Sequence, residues 1–375
     1  MQTFPKKINL LHNLSKGFFS YNFPFLFSNQ LPERVLIALT YQCNSRCIMC
    51  NIWKMKPKNE LTFDEWEFMV SDPLFSNIKA LDITGGESTL TADFSKKIEL
   101  FLQKMPKIQT MTIVSNGFST KLIIKRVKEV LKLLEPRGIT LNVSISVDGT
   151  AKMHESIRRI PRAFEKVKNT IFELKKLNLT HPNLSISVGS LIMHQNIDYV
   201  DKITSWLEKN DIKYGLQIVG YHDTYVRNLD TEESTDFNRS DKPKLIKLLA
   251  KLSKPTSWRD VRAYYWRDLL AMYRDGKRRT TPCPFLHDQL AIDSLGNVYN
   301  CFSSPAIGNI RDGKTPSELY LSEKNQLERK RMWSTACVKC NSGCSASEAT
   351  AKDFKSYFYF RLTGKPYYGL KNLLK

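Results

Sequence analysis

Val35-Leu36-Ile37-Ala38-Leu39-Thr40-Tyr41-Gln42-Cys43-Asn44-Ser45-Arg46-Cys47-Ile48-Met49-Cys50 is an apolar run that ends in three cysteines spaced Cys-x3-Cys-x2-Cys. The apolar half reads as a buried strand. Three thiolates set this close on the following loop can ligate three irons of a 4Fe–4S cluster. The fourth iron then has no protein ligand and stays open to a chelating small molecule. The same residues could instead hold zinc, completed by a histidine or cysteine from elsewhere. The triad alone does not choose.

Working outward, more apolar runs end in small polar motifs. Ala80-Leu81-Asp82-Ile83 leads to Gly85-Gly86-Glu87, and Met111-Thr112-Ile113-Val114 leads to Ser115-Asn116-Gly117. Ser144-Ile145-Ser146-Val147 leads to Asp148-Gly149. Strand candidates are 34–40, 80–84, 110–115, 141–147, 184–192 and 214–219. Helical patterns lie between them. Thr62-Phe63-Asp64-Glu65 is a capping box. Phe94, Ile98, Phe101, Leu102 and Met105 form one apolar stripe; Phe164, Val167, Ile171, Leu174 and Leu177 form another. Strand–helix alternation implies parallel strands with right-handed crossovers, here a curved, open barrel. Each motif falls at a strand's carboxyl end, where such folds gather functional groups.

In that order and at those spacings the motifs resemble the radical S-adenosylmethionine (SAM) enzymes, from about Arg34 to about Tyr221. The resemblance implies an α/β fold, a partial (β/α)6 TIM-like barrel. It implies a 4Fe–4S cluster on Cys43, Cys47 and Cys50, with SAM chelating the open iron. Reductive cleavage of SAM would give methionine and a 5′-deoxyadenosyl radical that abstracts hydrogen from a substrate. A flavodoxin- or ferredoxin-type donor would supply the electron. Glu87 is matched to the SAM amino group, and Gly85 and Gly86 to close backbone approach to the ligand. Ser115 and Asn116 are matched to the sulfonium and ribose, and Ser144, Ser146 and Asp148 to the ribose and carboxylate. Arg158, in competition with Arg159, is the counter-charge for the SAM carboxylate, and Gly189 admits adenine. Met49 stands where the family usually has an aromatic residue, with Trp53 nearby, and Ser88 stands where it usually has proline. Plainer readings accompany these: Gly-Gly as an ordinary turn, the arginine as a solvated helix residue, Gly189 as a bulge.

A second cysteine group begins at Cys283. Leu290 to Cys301 reads as a β-hairpin turning at Gly296, and Cys337-Val-Lys-Cys340-Asn-Ser-Gly-Cys344 follows. This resembles the SPASM domains that carry auxiliary clusters, and their shortened twitch form. The full pattern has seven cysteines for two clusters. The five here imply one auxiliary 4Fe–4S cluster, on Cys283, Cys301 and two of Cys337, Cys340 and Cys344. Structural zinc is the alternative. The expected organisation is 1–33, a basic aromatic extension; 34–226, the barrel; 227–280, a linker and helix; 281–346, a small β-hairpin/helix iron–sulfur domain; and 347–375, a basic aromatic tail.

The chain has 375 residues, 42% of them hydrophobic, and a net charge of +20. That length suits one domain of roughly 200 residues and a smaller one. Eight cysteines in two groups suit metal ligation in a reducing compartment, hence the cytoplasm. The basic charge suits solubility or an acidic partner: an anionic substrate or an anionic membrane touched peripherally by the arms. No nucleic-acid motif accompanies it, so nucleic acid ranks last. The 34 residues before Val35 are too few for a three-strand, three-helix peptide-binding module. The expected substrate is therefore a small anionic, sugar or lipid-linked metabolite, with the loop Tyr221-His222-Asp223 facing it. His222 and Asp223 read either as an acid/base pair or as a solvated one. The alternatives are a peptide maturase of the RiPP type and a non-catalytic metal-binding scaffold.

Overall fold

The computed structural model describes residues 31–257, 260–281, 283–343, 350 and 353–365. Residues 1–30, Cys344 and 366–375 fall outside the described residues, and with them nearly all of the N-terminal arm and the end of the C-terminal tail. The described residues form two compact units: 31–237 with 288–325, and 238–287 with the described residues from Gln326 onward.

In the first unit the alternating pattern becomes β1 (Arg34–Ala38), α1 (Phe63–Val70), β2 (Ala80–Thr84), α2 (Phe94–Lys104), β3 (Thr110–Ser115), α3 (Thr120–Leu134), β4 (Thr140–Ser146), α4 (Lys152–Arg158), α5 (Ala163–Asn178), β5 (Leu184–Ile192), α6 (Val200–Lys209) and β6 (Lys213–Ile218). The strands pair in the order β6-β5-β4-β3-β2-β1, all parallel, as the crossover rule requires. The capping box at Thr62 and Glu65 forms and opens α1. Both apolar stripes are buried, and Trp66 of α1 meets Phe101 of α2 edge to face at 5.6 Å. The fold class is thus the expected partial barrel.

One face of each strand packs on the helices. On β4 that face carries Leu141, Val143 and Ile145, all buried, while Asn142, Ser144 and Ser146 stand half-buried on the other. A one-residue slip would turn the polar set into the core, at about 1–3 kcal/mol for each unpaired group. On β5 the polar face continues, with Asn142 opposite Ser185, Ser144 opposite Ser187 and Ser146 opposite Gly189. Asn142 donates to Ser187 Oγ at 3.1 Å and accepts from Ser185 Oγ at 3.2 Å. The helix-free face is therefore lined with hydroxyls and an amide.

The chain then enters the second unit, where α7 (Lys242–Leu252) and α8 (Arg262–Asp275) pack together. It returns to the first unit as β7 (Gln289–Asp293), β8 (Asn297–Tyr299) and β9 (Gly308–Asn309). The expected hairpin forms, with Gly296 in the left-handed turn at φ 89°. Its first strand also lies parallel to β1, with Arg34 opposite Gln289 and Ala38 opposite Asp293. The barrel sheet thus has a seventh parallel strand that spacing did not reveal, because β7 is separated from β6 by the excursion through the second unit. A helix at Phe354–Thr363 closes the described chain there, with Tyr357 and Phe360 packed on Ala263 and Tyr264 of α8.

Candidate functional site

The cysteine loop leaves β1 and is held from every side. Gly86 N–H donates to Thr40 O at 2.7 Å, and Glu87 N–H to Gln42 O at 2.8 Å. A Cβ on Gly85 would stand 2.3 Å from Thr40 O, and one on Gly86 would stand 2.2 Å from Gln42 O. The two glycines thus make room for the backbone of the cysteine loop. Tyr41 donates its phenol proton to buried Asp293 of β7 at 2.9 Å. Arg46 N–H and Ile48 N–H donate to the carbonyls of Arg158 and Ile157, at the end of α4.

The loop after β6, expected to face substrate, wraps the same segment. Asn51 N–H donates to Val226 O, and Asn228 Nδ2 donates to Met49 O at 2.9 Å and Gly220 O at 3.0 Å. Tyr225 donates to Gly85 O at 2.8 Å and stacks on Phe302 at 4.3 Å. His222 is half-buried, and that burial lowers its pKa to about 4. Asn228 and Tyr225 carry no motif in the sequence; only the fold brings them to the cysteines.

The three thiols lie together. Burial pushes Cys43 up to about 11, and burial followed by the neighbouring Cys47 pushes Cys50 up to about 12. Yet among the described residues no three His, Cys, Asp or Glu side chains converge as they would around a single metal ion. Three neighbouring thiols on one loop suit three corners of an iron–sulfur cube. Cys47 and Met49 share an apolar cluster with Ile157, Met193 and Val219 that excludes water from one side of the loop. Met49 itself is 4% exposed. On another side a cavity of about 290 Å³ is lined by Tyr41, Gln42, Cys43, Trp53, Lys56 and Pro57.

Glu87 is wholly buried. Its carboxylate accepts from Thr89 Oγ1 at 2.6 Å, Ser115 Oγ at 3.0 Å and Asn116 N–H at 2.7 Å. Burial raises its pKa and these donors oppose the rise. Glu87 is thus the hub that fixes Ser115 and Asn116, and Asn116 Nδ2 donates to Asn44 of the cysteine loop at 2.7 Å. Asp148 and Arg158 also meet. Nη2 of the arginine lies 2.6 Å from Asp148 Oδ2, and Nη1 donates to Cys47 Sγ at 3.5 Å. Burial works against the guanidinium charge, but Asp148 and Cys47 outweigh it and raise the pKa. Arg158 Nε is buried with no acceptor. At Gly189 an added Cβ would find only Ser144 Oγ, at 3.7 Å. No protein packing requires that glycine. An orphaned donor beside Cys47 and open space over β5 fit a cluster with a small anionic ligand.

In the second unit, Cys283 and Cys340 both act electrostatically on Cys337, whose thiol burial and these neighbours push up to about 12. Arg279, 2% exposed, stands over them: its side chain donates to the carbonyls of Cys340 at 3.3 Å and Ser342 at 3.0 Å, and Cys340 and Cys283 stabilise its charge. Arg279 falls in the stretch 227–280 expected as linker and helix, and no motif marks it in the sequence. Cys301 belongs to the first unit, just beyond β8.

The family described as the Radical SAM superfamily matches residues 37–207. Sporulation killing factor maturation protein SkfB of Bacillus subtilis (strain 168) is 28% identical over 174 residues, 46% of this chain and 39% of that protein. A probable GTP 3′,8-cyclase of Thermococcus kodakarensis is 29% identical over 157 residues, 38% of this chain and 48% of that protein. The chain thus spans less than half the length of either. The solved structure of native anSMEcpe with bound AdoMet and Kp18Cys peptide is similar at a TM-score of 0.55 and 20% identity, over 88% of this chain and 98% of that one. At that identity the likeness shows a shared fold. Residues 37–207, which run from β1 through α6 of the barrel, thus match the radical SAM superfamily.

Proposed function

We propose that this chain is a radical SAM enzyme that modifies a peptide. The charge-based expectation of a small anionic, sugar or lipid-linked substrate gives way to this reading. Support comes from SkfB, a maturation protein, and from anSMEcpe, whose solved structure holds a peptide. The observation in the chain that carries it is the helix-free face of β4 and β5. Asn142, Ser144, Ser146, Ser185 and Ser187 line it with donors and acceptors suited to peptide backbone, which carries one of each per residue.

Cys43, Cys47 and Cys50 would hold the cluster, with SAM at its open iron. Bound there, the pair supplies reductive cleavage of SAM to methionine and a 5′-deoxyadenosyl radical. The chain's own part is orientation and exclusion of water. Glu87 holds Ser115 and Asn116 in place, Gly189 leaves space over β5, and the apolar cluster around Met49 closes one flank of the loop. Cys283, Cys337 and Cys340 would supply three ligands of one auxiliary 4Fe–4S cluster, with Arg279 as its counter-charge. No helix among the described residues is long and apolar enough to cross a membrane.

The test is anaerobic turnover with dithionite and SAM. A pooled library of short synthetic peptides is compared with GTP, and a Cys47→Ala variant is the blank. Peptide-dependent 5′-deoxyadenosine with a mass change in a peptide supports the proposal. A rise with GTP instead would transfer the chain to nucleotide chemistry, and no rise above the blank with either removes the enzyme reading.

A further inference from the structure

Arg158 ends α4 with its side chain 9% exposed, and the Asp148 side chain beside it is 0% exposed. A guanidinium so placed is costly unless its charge is answered. A purely structural ion pair would present both Nη groups to the carboxylate as a fork. Here the fork is split. Nη2 pairs with Asp148 Oδ2 at 2.6 Å, and Nη1 points at Cys47 Sγ at 3.5 Å. The geometry is fixed from the backbone as well: the carbonyl of Arg158 accepts from Arg46 N–H, and that of Ile157 from Ile48 N–H. Asp148 is locked in turn, its Oδ1 accepting from Leu191 N–H at 2.9 Å and its own N–H donating to His154 Nδ1 at 3.1 Å. The arginine therefore cannot leave Cys47 without disturbing α4, β5 and the cysteine loop together.

We propose that Arg158, steadied by Asp148, is a positioning residue that sets the reduction potential of the cluster on Cys43, Cys47 and Cys50 by lending a charge-assisted N–H to the Cys47 sulfur. Adding an electron makes the cluster more negative, so a nearby cation and a donor to sulfur both favour the reduced form. Asp148 holds the arginine in place and also offsets part of its charge. Removing the cation and removing the anion should then move the potential in opposite directions, which a merely structural pair would not do.

The inference rests on the cluster reading, so iron and sulfide are counted first in anaerobically reconstituted wild-type protein. Their absence overturns both; their presence isolates the present claim. Potentiometry then follows the EPR signal that SAM perturbs. Arg158→Gln is expected to lower the ratio of reduced to oxidised cluster about tenfold at a fixed potential, a shift of about 59 mV downward for one electron. Arg158→Lys should shift it less, and Asp148→Asn should shift it upward. Unchanged potentials, or Arg158→Gln and Asp148→Asn moving the same way, would overturn the proposal, as would a loss of SAM affinity with no change in potential. If Arg158→Gln holds no cluster, Asp148→Asn decides: no upward shift sinks the idea.

Discussion

Gly86 lies so near Gln42 that a Cβ on the glycine would stand 2.2 Å from the glutamine carbonyl oxygen. The obstacle is backbone, which cannot rotate away. Gly86→Ala should therefore push the cysteine loop off the end of β2 and cost about 1–3 kcal/mol, the usual range for overpacking. Anaerobic urea melts should show the loss, and iron per chain after reconstitution should fall. Wild-type iron content in Gly86→Ala would disprove the seating role of this glycine.

Gly189 offers the reverse case. Its nearest neighbour across the absent Cβ is Ser144 Oγ at 3.7 Å, an ordinary contact. Gly189→Ala should leave stability unchanged or raise it by up to about 1 kcal/mol, through a stiffer unfolded chain. If the space serves adenine, SAM affinity measured by equilibrium dialysis should drop about tenfold, equivalent to about 1.4 kcal/mol. Destabilisation without a change in SAM binding would return Gly189 to an architectural role.

Asn228 joins Met49 O, Gly220 O and His222 N–H through one side chain that is 1% exposed. Asn228→Ala leaves one buried and one half-buried carbonyl and an N–H to find new partners. The expected cost is about 1–3 kcal/mol for the unsatisfied groups. Hydrogen exchange should become faster across 48–54 and 220–228, and an unchanged pattern there would contradict the clamp.

His222 sets a pH dependence. Burial lowers its pKa to about 4, so the folded ring refuses a proton that the unfolded chain takes near the usual value of about 6.5. Stability is full above that ordinary value and is lost as pH falls towards the folded one. By pH 5 the loss reaches about 1–2 kcal/mol by linkage. His222→Gln should flatten this part of the acid limb relative to wild type. Parallel limbs for the two proteins in urea melts between pH 7 and 5 would count against it.

Periodicity in the sequence was enough for the six barrel strands, since alternation on β4 and the stripes on α2 and α5 leave one packing solution. The three clustered cysteines were legible because they are local in the chain. What spacing could not show was how side chains are shared over distance. Glu87 spends its oxygens on Thr89, Ser115 and Asn116, and Arg158 divides itself between Asp148 and Cys47. Cys301 and Cys283 are separated by a hairpin in the chain, yet they belong to different compact units. Pairing of β7 with β1 joins positions more than 250 residues apart, and no local pattern encodes it.

That pairing bears on any attempt to isolate the barrel. A fragment cut at the linker, near residue 280, would lose β7 and strip the outer row of hydrogen bonds from β1. The newly bared edge carries Val35, Leu36 and Ile37, an unpaired apolar margin of the sort that recruits other chains. Such a fragment should precipitate on expression, whereas one that keeps residues 288–325 should remain dispersed. The barrel and the hairpin that follows it are stitched into a single fabric, and cutting at the linker would unravel its selvedge.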